Sequence, residues 1–130
     1  MRVPAAILSA CALIFAGGCS DDEDEPGRSV TVRPGDTVNM GADEYRFDPG
    51  KITVKAGGKE ARVRITLANR GSLAHNIHIR EGDRDLAATR SFPEGQRRSV
   101  SATLQPGSYR YVCTVADHEE LGMVGNLEIR

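Results

Sequence analysis

The sequence is short of the residues that most often announce a fold or a reaction. Only three cysteines, three histidines and three methionines occur in 130 residues, and aromatic residues make up 5% of the chain. No basic run interleaved with aromatics appears, which argues against nucleic acid as a partner. No internal repeat is visible, and no stretch shows a convincing long helical period. Beyond Phe15 there is no long apolar run. Of the cysteines, Cys11 lies within the N-terminal apolar run and Cys19 directly follows it, so Cys113 stands alone in the body of the chain. A lone thiol cannot form an intramolecular disulfide, and an exposed one would be open to oxidation in an exported protein.

What is present begins with a leader. Met1-Arg2 gives a short positive start, Val3 to Phe15 is almost wholly apolar, and Ala16-Gly17-Gly18 supplies small residues before Cys19. A run of this length and ending reads as a secretory signal over residues 1–18 rather than a membrane span. The small residues before Cys19 resemble a bacterial lipobox, which implies cleavage before Cys19 and a diacylglyceryl group on its sulfur. An ordinary signal peptide cut nearby, or an uncleaved anchor, are the alternatives. Residues 19–27 follow, with five consecutive acids from Asp21 to Glu25 and then Pro26-Gly27. Such a stretch buries no apolar surface and reads as a solvated tether. Residues 28–130 suffice for one small domain with a single core.

Net charge conceals an asymmetry. The chain has 17 basic and 18 acidic residues, but without Arg2 and the tether acids the domain carries 16 against 13, or +3. That excess is too mild to imply nucleic acid; it could bias docking toward an acidic partner.

The domain reads as short strands between turn signals. Ala61 to Ala68 alternates Val63, Ile65 and Leu67 with Arg62, Arg64 and Thr66, the pattern of a half-buried strand. Further strands are expected at Val30–Val32, Thr37–Met40, Ile52–Val54, Asn76–Arg80, Arg98–Leu104, Ser108–Cys113 and Val124–Ile129. Pro34-Gly35, Asp48-Pro49-Gly50 and Pro106-Gly107 supply turns. Seven or eight strands at this spacing predict an all-β antiparallel sandwich or barrel. The stretch 81–96 is left as a long loop, or a turn of helix over Asp85–Thr89.

Strand parity places four residues at one end of this sandwich. His75 shares a face with Ile77 and Ile79 and points inward, whereas His78 shares the other face with Asn76 and Arg80 and is expected at the surface. Cys113 ends a strand on the face of Tyr109 and Tyr111; Met123 shares parity with Leu127 and Ile129. Singly, each has a plain structural explanation: core histidine, buried thiol, surface loop residue, core filler. Jointly, two imidazoles, one thiolate and one thioether form the ligand set of a mononuclear electron-transfer copper site, His₂Cys with a weak axial Met. Three of them lie in Cys113-x₄-His118-x₄-Met123, with His75 38 positions upstream. Thioether ligation also argues against zinc.

These residues resemble the cupredoxin family of type 1 (blue) copper proteins, which includes plastocyanin, azurin and halocyanin. His75-Asn76 resembles the family's first-ligand pair, and Tyr109-x-Tyr111-x-Cys113-x₄-His118-x₄-Met123-x-Gly125 its ligand loop, with a spacing most similar to rusticyanin. The resemblance covers about Val38 to Arg130. It implies a Greek-key β-sandwich holding one copper ion that cycles between Cu(I) and Cu(II). It further implies that Asn76 ties its strand to Thr114 while its N–H donates to the Cys113 sulfur. The Ala74 carbonyl is left as a further weak axial contact to be tested. His118 would present an edge near the surface among Leu73, Leu121 and Gly122, with Asp117, Glu119 and Glu120 solvated around it.

The expected function is single-electron transfer between unidentified extracytoplasmic redox partners, by a monomer held at the outer face of a bacterial membrane through Cys19, or periplasmic. A membrane-tethered copper chaperone or scavenger is the alternative, although three Met and three His make no metal-collecting tract. An enzyme is not expected. Multicopper oxidases and copper nitrite reductases need more histidines than the remaining His78, and a binuclear copper centre needs a second cysteine in the loop.

Overall fold

The computed structural model describes residues 27–130; the leader, Cys19 and the acidic run lie outside them. Among the described residues there is no helix, and ten strands form two packed sheets. The strands are β1 (Ser29–Val32), β2 (Thr37–Asp43), β3 (Arg46–Asp48), β4 (Lys51–Val54), β5 (Ala61–Asn69), β6 (His78–Glu81), β7 (Arg84–Ala88), β8 (Arg97–Leu104), β9 (Gly107–Val112) and β10 (Val124–Ile129). One sheet runs β1-β4-β10-β9-β6-β7 and the other β3-β2-β5-β8.

The architecture is the expected all-β sandwich, but the sheets are mixed rather than antiparallel. β1 pairs parallel with β4, β4 with β10, and β2 with β5. Parallel neighbours need a crossover. The chain provides it by visiting the opposite sheet in between: β1 reaches β4 by way of β2 and β3. Hydrophobic alternation carries no sign of strand direction, so this was not readable from the residues. Two strands beyond the expected eight are β3 and β7, and β7 replaces the turn of helix considered over Asp85–Thr89. Arg84–Ala88 pairs with β6, with a register shift between Ile79 and Arg80. Its own burial is only intermediate, so it has no clean two-residue alternation to betray it.

The core lies where the two inner faces meet. Val63, Ile65 and Leu67 of β5, Met40 and Ala42 of β2, Ile52 of β4, and Leu127 and Ile129 of β10 are buried there. On the outer face of β5, Thr66 pairs with Ser99 of β8 through their hydroxyls at 2.9 Å. Tyr111 of β9 is fully buried; its hydroxyl donates to the Pro49 carbonyl at 2.8 Å and its ring meets Phe47 edge-on, 5.4 Å between centroids. An aromatic ring this deep needs that one polar partner. Opposite it across the ladder stands Gly125, whose lack of a side chain leaves the space Tyr111 occupies.

Candidate metal centre

Three neighbouring strands of the larger sheet bring the predicted residues together. Cys113 follows β9 directly, Met123 immediately precedes β10, and His75 lies three residues ahead of β6. His75 is outside the expected strand 76–80 but is held by an isolated bridge: its N–H donates to the Phe92 carbonyl at 3.2 Å, and the Phe92 N–H returns a bond at 3.0 Å. This bridge gives the stretch 89–96 a structural task. The buried Asn69 organises the same region, its amide donating to the carbonyls of Leu73 (2.8 Å) and Phe92 (3.0 Å) while accepting from the Gly71 N–H.

The loop from 114 to 122 closes on itself. The His118 N–H donates to Val115, Leu121 to Asp117 and Gly122 to Glu119; the Met123 N–H donates to the His118 carbonyl and the Cys113 N–H to the Met123 carbonyl. Those last two bonds lock the ends of the loop together just where the sulfur-bearing residues stand.

His75, Cys113 and Met123 are fully buried and His118 nearly so. The Cys113 Sγ lies 3.9 Å from His75 Nδ1 and 3.5 Å from His118 Nδ1, and these three donor atoms all fall within 4.8 Å of one another. Both rings therefore turn the same nitrogen toward the thiol. The imidazole centroids are 5.0 Å apart. This spacing fits one shared ion: with metal–donor distances near 2.0–2.3 Å, as at zinc sites, ligand atoms about a common centre stand roughly 3.5–4 Å apart. Met123 is placed by its buried position and by its backbone bonds to Cys113 and His118.

The electrostatics favour a cation here. Burial pushes the Cys113 thiol up, while the N–H groups of Asn76 and Val115 directed at the sulfur oppose that rise. A buried thiolate needs a positive partner, and a bound cation supplies one. Burial also pulls His75 below the ordinary imidazole value, against the nearby Glu44 carboxylate, which pulls it up. A neutral ring leaves Nδ1 free as a ligand.

Asn76 and Thr114 meet as a reciprocal pair. The Asn76 amide donates to Thr114 Oγ1 at 2.8 Å, and the Thr114 N–H donates to Asn76 Oδ1 at 2.8 Å. Bonds of this kind hold the strand carrying one donor against the loop carrying another.

His78 is not the free surface residue that parity suggested. It does face away from the core, but β7 covers it. Its Nδ1 lies 2.9 Å from Asp85 Oδ2, and its Nε2 is left to accept from the Thr114 hydroxyl at 3.2 Å. Nor is Glu119 simply solvated: it accepts from Arg80 and Arg110, both at 3.2 Å, and so pins the ligand loop to β6 and β9. Strand parity reports which face a residue takes, not whether a neighbouring strand or a long arginine reaches it.

Two residues missed in the sequence touch both imidazoles. Glu44 Oε1 lies 3.0 Å from His75 Nε2, and the Tyr45 ring meets His118 edge-on, with 5.0 Å between centroids. They occupy the turn between β2 and β3, and since β3 was not foreseen, nothing marked that turn. Leu73 and Leu121 are exposed at 44% and 51% on this end of the molecule, so His118 is flanked by apolar surface.

A model of copper-binding proteins, plastocyanin/azurin family, matches residues 35–130. The chain belongs to that family. Copper is accordingly its cofactor, and the sulfur and two nitrogens gathered above are chemically suited to it. Among relatives, the chain is similar to the copper-resistant cuproprotein CopI of Rubrivivax gelatinosus, 29% identical over 88% of this chain and 80% of that one. It is also similar to amicyanin-alpha of Methylorubrum extorquens, 27% identical over 84% of this chain and 82% of that one. Among solved structures, reduced auracyanin from Roseiflexus castenholzii superposes with a TM-score of 0.63 at 21% identity, covering 75% of this cupredoxin and 98% of auracyanin. At that identity the match speaks for the fold alone.

Proposed function

We propose that this cupredoxin carries single electrons between extracytoplasmic redox proteins through a type 1 copper site formed by His75, Cys113, His118 and Met123. The observation that carries the proposal is the buried convergence of Cys113 Sγ with the Nδ1 atoms of His75 and His118. Copper bound there would alternate between cuprous and cupric states, the chemistry for which this soft–borderline donor mixture is suited. Asn76, Thr114 and the N–H of Val115 hold the sulfur in place. The exposed Leu73 and Leu121 suit a small, transient contact beside His118. The scarcity of histidine supports a non-enzymatic role, and the carrier is proposed as a monomer that meets its redox partners through that contact. The lipobox-like ending before Cys19 supports export and attachment to the outer face of a membrane by a lipidated Cys19, with the acidic residues as spacer.

A second reading, copper handling in resistance, is favoured by the similarity to a copper-resistant cuproprotein. One experiment separates the two. Purified protein is loaded with Cu(II), and its visible and paramagnetic spectra are recorded through repeated voltammetric cycles. A carrier shows an intense thiolate-to-copper band and a reversible one-electron wave with the metal retained. A handling protein releases copper to a chelator on reduction. Absence of the band on loading would overturn the carrier, and failure to take up copper in either oxidation state would overturn both.

A further inference from the structure

We infer that Glu44 is a positioning residue of the copper site: it fixes His75 in the tautomer that offers Nδ1 to the metal, and its carboxylate biases the site toward the cupric state. The inference rests on the copper reading above and adds to it a residue that lies 31 positions from the histidine it serves.

The geometry is specific. Glu44 Oε1 stands 3.0 Å from His75 Nε2, and a carboxylate can only accept there, so Nε2 must carry the proton. With Nε2 protonated in a neutral ring, Nδ1 keeps its lone pair, and Nδ1 is the atom that faces the Cys113 sulfur at 3.9 Å. The carboxylate is itself held. The Leu73 N–H donates to the same Oε1 at 2.9 Å.

The carboxylate fills the space beside Gly71. A Cβ placed on Gly71 would stand 2.2 Å from Glu44 Oε1 and 2.7 Å from its carboxyl carbon. Gly71 is therefore the floor of the socket in which this carboxylate sits, with Asn69 bracing the socket through the Gly71 N–H. The turn that supplies Glu44 also supplies Tyr45, which packs on His118. One turn thus reaches both imidazoles.

The consequence is chemical. A histidine that donates its outer N–H to a carboxylate is a more basic, better oriented ligand. A negative charge behind that ring favours the higher metal charge, so removing it should weaken Cu(II) binding more than Cu(I) binding.

The test uses the full chain with copper, comparing Glu44→Ala, Glu44→Gln and Gly71→Ala with wild type. The readouts are competition affinities for Cu(I) and Cu(II), the reduction potential at one fixed pH, and ring-nitrogen NMR of His75 in metal-free protein. Glu44→Ala should lose about 10–100-fold in Cu(II) affinity. Its potential should rise by about 59 mV for each tenfold by which the Cu(II) loss exceeds the Cu(I) loss. Glu44→Gln keeps an acceptor without the charge, so it should retain the Nε2–H signature while sharing the rise in potential. Gly71→Ala leaves Glu44 in the sequence but expels it from the socket, and should imitate Glu44→Ala. Copper-loaded Glu44→Ala with affinities within twofold of wild type, and a potential within the roughly 18 mV to which twofold corresponds, would overturn the inference. So would metal-free wild type with His75 protonated on Nδ1. A wild-type chain that takes up no copper would instead sink the functional reading, and this inference with it.

Discussion

At the scale of single residues, the four sequence-selected positions divide by what each contributes. Cys113 is the only free thiol among the described residues and is completely buried. Cys113→Ser should abolish the intense visible band and rapid redox cycling while sparing the fold, checked by absorption and far-ultraviolet dichroism of the copper-treated variant. Persistence of the blue colour would refute the thiolate assignment. Met123→Leu conserves volume in a buried site, and such swaps cost little, below about 1.5 kcal/mol. It should therefore keep copper but change its potential, since an axial thioether tunes the metal rather than holding it. Complete loss of copper from that variant would give Met123 a larger part. The meeting of His75, Cys113 and His118 was legible because a rare residue set occurs at a spacing suited to one metal ion. Glu44, Tyr45 and Asn69 were not: an acid, a tyrosine and an asparagine are common near turns, and their meaning lies in contacts across 23 to 73 positions.

At the scale of elements, the larger sheet does most of the placing. β9 lies between β6 and β10, and their backbone ladders set the distance between the residues that follow or precede them. Gly125 and Tyr111 face each other across β10 and β9, and a Cβ at Gly125 would lie 2.1 Å from the Tyr111 ring. Gly125→Ala should destabilise the domain by about 1–3 kcal/mol through overpacking, read as a lowered urea midpoint at unchanged slope. An unchanged midpoint would show that the ring moves aside freely. Strong alternation made β5, β8, β9 and β10 readable to within a residue or two, since each has one face in the core and one in water. β3, three residues long, and β7, with no fully buried residue, lack that contrast. Their omission hid the two turns of chain that cover His75 and His78.

At the scale of the whole molecule, charge is arranged in local networks rather than as a single patch. Asp85 accepts from Arg80 at 2.6 Å and stands 2.9 Å from His78; Arg80, chiefly, and His78 hold its carboxyl below the usual value, against a smaller opposing effect of burial. A carboxylate depressed in the folded state adds stability that is complete above its ordinary value near 3.8 and disappears as pH falls through its folded value. The urea midpoint should therefore drop on acidification below about pH 4, and Asp85→Asn should flatten that part of the profile. An identical acid limb in the variant would show that Asp85 contributes nothing to it. Asp85 itself is exposed to solvent, so the change should be modest.

The bracing of Glu119 by two arginines has a consequence for encounters in solution. Next to His118 the loop carries Asp117, Glu119 and Glu120, yet Glu119 is compensated by Arg80 and Arg110 within the same surface. Glu119 and its arginines therefore contribute little field beyond a Debye length of roughly 8–10 Å, whereas Asp117 and Glu120 enter none of these ion pairs. Any salt dependence of bimolecular rates at this end of the molecule should then follow Asp117 and Glu120 rather than Glu119, and Glu119→Gln should leave it little changed.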